Sequence, residues 1–286
     1  MKTFILKNEF LELHVSDYGA TITSLKFNGS EQVLKYDSQD GYANGSSYIC
    51  ATIGRYANRI GNSCFQLNGK KYALVPNENG NQLHSGPHSV DKRNWDVEEN
   101  SGSIKMSILS PDGDNGFPGN LKMSVTFSLI QNSLRIDFEG ETDAPTVFAP
   151  TSHPYFVLSA PRLAVNSHSH LELDGSNIPT GRVLINEGKY DYSSMRALNE
   201  ALDDCFILDS QHALTLETNG VTLDVFTDFP AVQIYTGEFL DSPFSPRDGI
   251  AIEAEFYPDS PNHCDFPSTV LKPGEKFKKF VEYRFS

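Results

Sequence analysis

At 286 residues, with 38% hydrophobic and 21% charged side chains, 19 Phe and 12 Tyr, the chain has ample apolar mass for a packed core and is not a disordered segment. Its 23 basic residues against 37 acidic ones give a net charge of −14, a field that repels nucleic acid and anionic membrane surfaces alike. The four cysteines, Cys50, Cys64, Cys205 and Cys264, form no Cys-x-x-Cys pair, which sets aside zinc ribbons and redox motifs and fits reduced thiols in the cytoplasm.

The chain opens with an apolar run, Phe4-Ile5-Leu6, that is too short and too closely flanked by charge for a secretory signal. No stretch approaches the roughly 18 apolar residues of a membrane span. Phe10 to Val15 alternates Phe, Glu and His on one face with Leu, Leu and Val on the other, the period of a strand. Residues 38–47 are a Gly- and Ser-rich loop. Phe65-Gln66-Leu67, an Asn68-Gly69 turn and Lys70 to Val75 form a hairpin. Ile104 to Leu109 is a further strand, and Met123 to Ile130 and Leu134 to Glu139 make a second hairpin. Helical periodicity is scarce: only Ser193 to Leu202, with Ser193 as cap, predicts a turn or two of helix. Strand patterns return at Leu214 to Thr218, Val221 to Thr227, Val232 to Thr236 and Lys279 to Phe285, with a loop at 240–249. The expectation is an all-β fold, one large antiparallel β-sandwich domain over residues 1–286 with few short helices.

Several residues carry chemistry. His84 lies in a polar loop, Asn81-Gln82-Leu83-His84-Ser85-Gly86, and His153 in Thr151-Ser152-His153-Pro154-Tyr155-Phe156. An imidazole there serves equally as a hydrogen-bonded core group or as a proton donor near neutral pH. Glu253 follows the buried-looking Ile250-Ala251-Ile252, and Glu255 shares its face two residues on. A carboxylate on the inward face of a strand costs several kcal/mol unless paired, and burial raises its basicity. Asn58 and Arg59 suit vicinal hydroxyls, although a structural salt bridge would also account for the arginine. Asp203 and Asp204 either bind hydroxyls or cap a helix. Trp95 is more readily a core residue than a stacking platform. His168 and His170 share a strand face but have no third ligand nearby, and Asp112 to Gly116 has the wrong spacing for a calcium loop. Glycine-rich phosphate loops and Gly-x-Ser-x-Gly elbows are missing.

Together these segments resemble the aldose 1-epimerase (galactose mutarotase) family, nearly end to end. The likeness runs through Gly54-Arg55-Tyr56-Ala57-Asn58-Arg59-Ile60, Asn81-Gln82-Leu83-His84, Asp91-Lys92-Arg93-Asn94-Trp95 and Ser110 to Leu121. It continues in Ser152-His153-Pro154-Tyr155-Phe156, Asp203-Asp204-Cys205-Phe206, Val232-Gln233-Ile234-Tyr235-Thr236-Gly237, Glu253, Pro258 to Asn262 and Leu271 to Glu275. The resemblance implies a β-supersandwich and cofactor-free, metal-free interconversion of aldose anomers. On that footing Glu253 is the general base and His153 the general acid, with Arg59, His84, Asp203, Asn58 and Gln233 contacting substrate. It further implies an ionised Glu253 and a protonated His153 facing each other across a pyranose. Ser152, Val157, Glu238 and Glu255 depart from the family pattern, the last two putting carboxylates where amides are usual. They bear on hydroxyl preference rather than on mutarotation. The competing expectations are a hexose-6-phosphate mutarotase, a non-catalytic carbohydrate-binding protein, and a glycosidase using Asp203 and Glu253. A small-molecule sugar is the expected partner, and the chain is expected to be a monomer or homodimer.

Overall fold

Period-two patterning dictates extended segments that bury one face. In the computed structural model, which describes residues 1–286, they pair antiparallel into two principal sheets. The larger has nine strands in the order Asp96–Asn100, Ser103–Ser110, Leu121–Ile130, Ser133–Thr142, Phe277–Phe285, Val221–Thr227, His212–Thr218, Arg162–Val165 and Arg196–Ala197. The smaller has six, in the order Tyr155–Val157, Gly249–Glu255, Ala231–Tyr235, Asp203–Ile207, Ser169–Leu173 and Pro179–Ile185. A four-stranded N-terminal sheet includes Leu11–Ser16, whose Leu11, Leu13 and Val15 are buried as their alternation requires.

One contiguous cluster of 47 buried residues draws side chains from all three sheets, so they share a single core. The two principal sheets meet directly within it: the Phe156 and Tyr283 rings lie 5.1 Å apart, and the Tyr283 hydroxyl donates to the Ile252 carbonyl at 3.2 Å. The architecture is the expected all-β sandwich.

Two local expectations differ from the structure. Ser193 to Leu202 forms no helix. Leu198 and Leu202 are buried, and their backbone N–H groups reach the Pro161 carbonyl and the Thr236 hydroxyl, so long-range bonds replace the local ladder. The α-helix present, Gln39–Asn44, lies within the segment expected to be loop. It buries no residue, which is why no apolar stripe announces it. Trp95 is a core residue, its indole N–H donating to the Val90 carbonyl at 3.0 Å.

Arg55 carries much of the loop architecture. It is 1% exposed, and its guanidinium donates to the Ser110 hydroxyl and carbonyl, the Pro111, Pro118 and Gly119 carbonyls and the Thr146 hydroxyl, at 2.7–3.2 Å. Residues 110–119 are therefore wrapped around a buried cation. Arg55→Lys keeps the charge and loses the planar fork, leaving several buried carbonyls unmatched. The expected loss is about 3 kcal/mol of unfolding free energy. Urea denaturation reads it directly, and a shift below about 1 kcal/mol would mean the loop is held by other contacts.

Candidate active site

Strand register assembles one wall of the site. Gln233 lies directly opposite Glu253, Cys205 opposite Gln233, and Asp203 opposite Tyr235. Because side chains alternate, residues 203, 205, 233, 235, 253 and 255 share one face of the six-stranded sheet. Phe206, Val232, Ile234, Ile250 and Ile252 project from the other face into the core. The same three strands thus build the hydrophobic core and the polar floor.

Loops supply the second wall. Arg59–Ile60 pairs with Gln82–Leu83, which sets Asn58 and His84 side by side. The His84 N–H donates to the Asn58 carbonyl at 3.0 Å, and the Asn58 N–H donates to His84 Nδ1 at 3.1 Å. Both residues have positive φ (62° and 50°), a conformation that Asn and His adopt more readily than most side chains. His153 is fixed through its backbone, its N–H donating to Ala51 and its carbonyl accepting from Cys50.

The walls enclose a cavity of about 340 Å³, lined by all seven residues singled out from sequence: Asn58, Arg59, His84, His153, Asp203, Gln233 and Glu253. That volume lies in the range of small-molecule sites, and its polar lining suits a polyhydroxylated ligand.

At its floor His153 Nε2 and Glu253 Oε1 are 3.3 Å apart, with side chains 5% and 3% exposed. They stand side by side, not on opposite sides of a ring as the resemblance implied. The direction of each shift runs against the charged forms that the resemblance implied. Burial pushes His153 down to about 4 and Glu253 well above the usual carboxylate range, the latter aided by the charges of Glu255 and Asp203. Burial therefore favours the uncharged form of each, with the proton held on the carboxyl. The pair carries one ionisable proton, on the carboxyl.

The surrounding groups divide into framework and free donors. Arg59 binds Glu78 through Nε and Nη2 at 2.7 and 2.9 Å, which leaves Nη1 as its nitrogen without a protein partner. Asn58 is committed to the framework: its Nδ2 donates to Glu255 Oε1 at 3.0 Å and its Oδ1 accepts from the Arg59 N–H. Asp203 accepts from Gln233 Nε2 at 2.7 Å and from Asn177 Nδ2 at 3.2 Å, and burial raises its affinity for a proton. Gln233 Oε1 and Glu253 Oε2 are buried without partners. His84 is held well below its ordinary value by burial, then by His153 and Arg59. With Nδ1 accepting, this neutral ring carries its proton on Nε2.

That tautomer bears on metal binding. Donor atoms of His84, His153 and Glu253 lie within 4.8 Å of one another. Ligation by His84 Nε2 would require an imidazolate, so only two ligands remain, short of a stable transition-metal site. His168 and His170 do not converge either: the first pairs with Asp209 at the surface, and the second stacks on Tyr190.

Tyr48 and Glu78 gave no sequence signal and prove central. The Tyr48 ring lies 4.6 Å from that of His84 and 6.1 Å from that of His153, shielding both from water. Glu78 could have been sought only as the partner that a half-buried Arg59 demands.

The aldose 1-epimerase family model matches residues 2–284. The chain belongs to the aldose 1-epimerase family. Among its relatives, the aldose 1-epimerase of Escherichia coli (strain K12) is 33% identical over 321 residues, covering 97% of this chain and 93% of that protein. The galactose mutarotase of Homo sapiens is 30% identical, covering 100% and 94%. An aldose epimerase homologue from C. elegans superposes with a TM-score of 0.95 at 27% identity, over 100% of this chain and 98% of that one. A galactose 1-epimerase from Lactobacillus acidophilus NCFM gives 0.92 at 27%, over 99% and 94%. No helix of this aldose 1-epimerase family member is long and apolar enough to cross a membrane.

Nitrogen-15 NMR of labelled histidine tests the tautomer. His84 is expected to stay neutral and protonated on Nε2 as the pH falls through about 6.5, the free imidazole value. Titration of the ring in that range would contradict the framework described.

Proposed function

We propose that the protein interconverts the α and β anomers of a hexose such as glucose or galactose, with Glu253 as base, His153 as acid, and no cofactor. The observation that carries this reading is the buried Glu253–His153 contact at 3.3 Å within a polar cavity. The two oxygens that exchange protons in mutarotation, the anomeric hydroxyl and the ring oxygen, are bonded to the same carbon. Two proton-transfer groups standing side by side match them.

The proton count closes. When substrate binds, the shared proton moves to His153, and hydroxyl contacts with Glu253 compensate the separated charges. Glu253 then takes the proton from the anomeric hydroxyl while His153 protonates the ring oxygen. The carbon–oxygen ring bond breaks and the free aldehyde forms. Both side chains are now neutral, the forms that burial favours, so desolvation of the ion pair helps to drive ring opening. Rotation about the bond beside the carbonyl, then the reverse transfers, closes the other anomer. Arg59 Nη1, His84 Nε2–H, Asp203 and Gln233 orient the hydroxyls, and Asn58 holds His84 and Arg59 in place. A phosphorylated hexose is the poorer substrate, because Arg59 is already neutralised by Glu78. One β-sandwich unit over residues 1–286 performs this in the cytoplasm on a free sugar, as monomer or homodimer, without nucleic acid or membrane.

Polarimetry on freshly dissolved α-glucose and α-galactose tests the activity. Glu253→Gln and His153→Asn are each expected to lower turnover about 10²–10⁴-fold with the far-UV spectrum retained. Wild-type rates in either variant reject the assignment. The pH profile tests the protonation state. A second proton on the pair abolishes the base, and His153 accepts it only as the pH falls through about 4. After subtraction of the spontaneous rate, kcat/KM should therefore hold level from neutral pH downward and decline near that value. A decline centred near about 6.5 would mean that an ordinary imidazole controls the rate.

A further inference from the structure

Among the groups around the pocket that the proposed reaction leaves unused is the fully buried carboxyl of Glu255. It lies two residues beyond Glu253 on the same strand face, 0% exposed beside 2%. Its Oε1 accepts from Asn58 Nδ2 at 3.0 Å, whereas Oε2 has no partner. Glu253 has no such amide donor: its Oε1 meets His153 and its Oε2 is unpartnered. No lysine or arginine forms an ion pair with either carboxyl: Arg59 is bound to Glu78, and its charge lowers both carboxyls from a distance. The other titratable groups that act on this pair are Asp203 and Cys205 from the strand Asp203–Ile207, Tyr155 and Tyr283 beside Glu253, Tyr56 beside Glu255, and His84 and His153 across the cavity. Two buried carboxyls so placed cannot both be ionised without strong repulsion, and their proton losses are coupled.

The asymmetry of donors fixes the order. The Asn58 amide donates to Glu255 as it stands, whereas the one contact of Glu253 is His153 Nε2, which accepts from the protonated carboxyl and can donate to its anion only after the ring proton shifts from Nδ1. We propose that Glu255 is a positioning residue for the catalytic proton: it ionises first, and its charge then holds the proton on the Glu253–His153 pair at alkaline pH. This rests on the reaction proposed above and adds the residue that sets its upper pH limit. Burial raises Glu255 to about 8, with the Asn58 hydrogen bond acting against that rise. Glu253 is raised by burial first and by the charge of Glu255 second. The sign follows: removing that charge lets Glu253 lose its proton at lower pH.

The test compares wild type and Glu255→Gln, which keeps an acceptor for Asn58. Anomer exchange is measured by NMR exchange spectroscopy across pH, with the spontaneous rate subtracted. The alkaline limb of kcat/KM is expected to move down by about one pH unit, an approximately tenfold loss on that limb, with the acid limb in place. An alkaline limb that stays put or moves up overturns the proposal. An infrared titration reads the same order without turnover: a protonated-carboxyl C=O band that diminishes through about 8 should be present in the wild type and missing from Glu255→Gln. A wild type lacking that transition overturns the proposal as well. Because the infrared arm needs no turnover, failure of this inference and failure of the proposed reaction are told apart.

Discussion

The structure depends on placing a carboxyl and an imidazole in contact, out of water, with one ionisable proton between them. In bulk solvent a glutamate and a histidine at neutral pH would be charged and largely uncharged respectively, and would exchange protons with water. In this cavity burial strengthens the carboxyl's hold on its proton and weakens the imidazole's, which favours a proton on Glu253 beside a neutral ring. Such a pair is reactive toward a hemiacetal, which offers one proton to remove and one lone pair to protonate on oxygens that share a carbon. The strand register, the loop turns at Asn58 and His84 and the Tyr48 wall all serve to keep that contact dry and fixed.

Holding acids in a dry floor demands a scaffold that tolerates them. The six-stranded sheet does so by division of labour between its faces. Even-numbered residues of Gly249–Glu255 and Ala231–Tyr235 bury aliphatic side chains in the shared core, so the odd-numbered ones can be polar without dissolving the sheet. Behind the loops, Arg55 gathers backbone carbonyls that would otherwise be unmatched, and Tyr56 accepts from the Ser260 N–H while donating to the Tyr257 carbonyl. The Gly54–Ile60 segment therefore contains both a structural arginine and a site arginine, four residues apart. Only burial and partners distinguish them.

What could be read from sequence follows the same division. Strand alternation at Leu11, Leu13 and Val15, or along Leu121–Ile130, is a local property and was legible. So was the pairing of Glu253 with Glu255 on one face. Chemistry-bearing residues within motifs, His84, His153 and Asp203 among them, were legible as candidates through family resemblance, and the fold brings them to one cavity. Less accessible was whatever depends on three-dimensional neighbours. Leu198 and Leu202 follow helical spacing but are captured by Pro161 and Thr236 far along the chain. Glu78 and Tyr48 belong to no pattern and matter only through what they touch. Burial shifts Glu253 and His153 toward their neutral forms, against the charged pair that the resemblance implied. Opposite charges attract at any depth, and sequence could not show that both groups are nearly free of solvent.

The account stands on the protonation of that contact, and neutron diffraction from a deuterium-exchanged crystal near neutral pD observes it directly. Two deuterons should be distributed over the two His153 nitrogens and the two Glu253 oxygens, one on the neutral ring and one on the carboxyl. A bare carboxylate beside a singly deuterated ring, or a deuterated carboxyl beside a doubly deuterated ring, would contradict the single shared proton and the mechanism built on it.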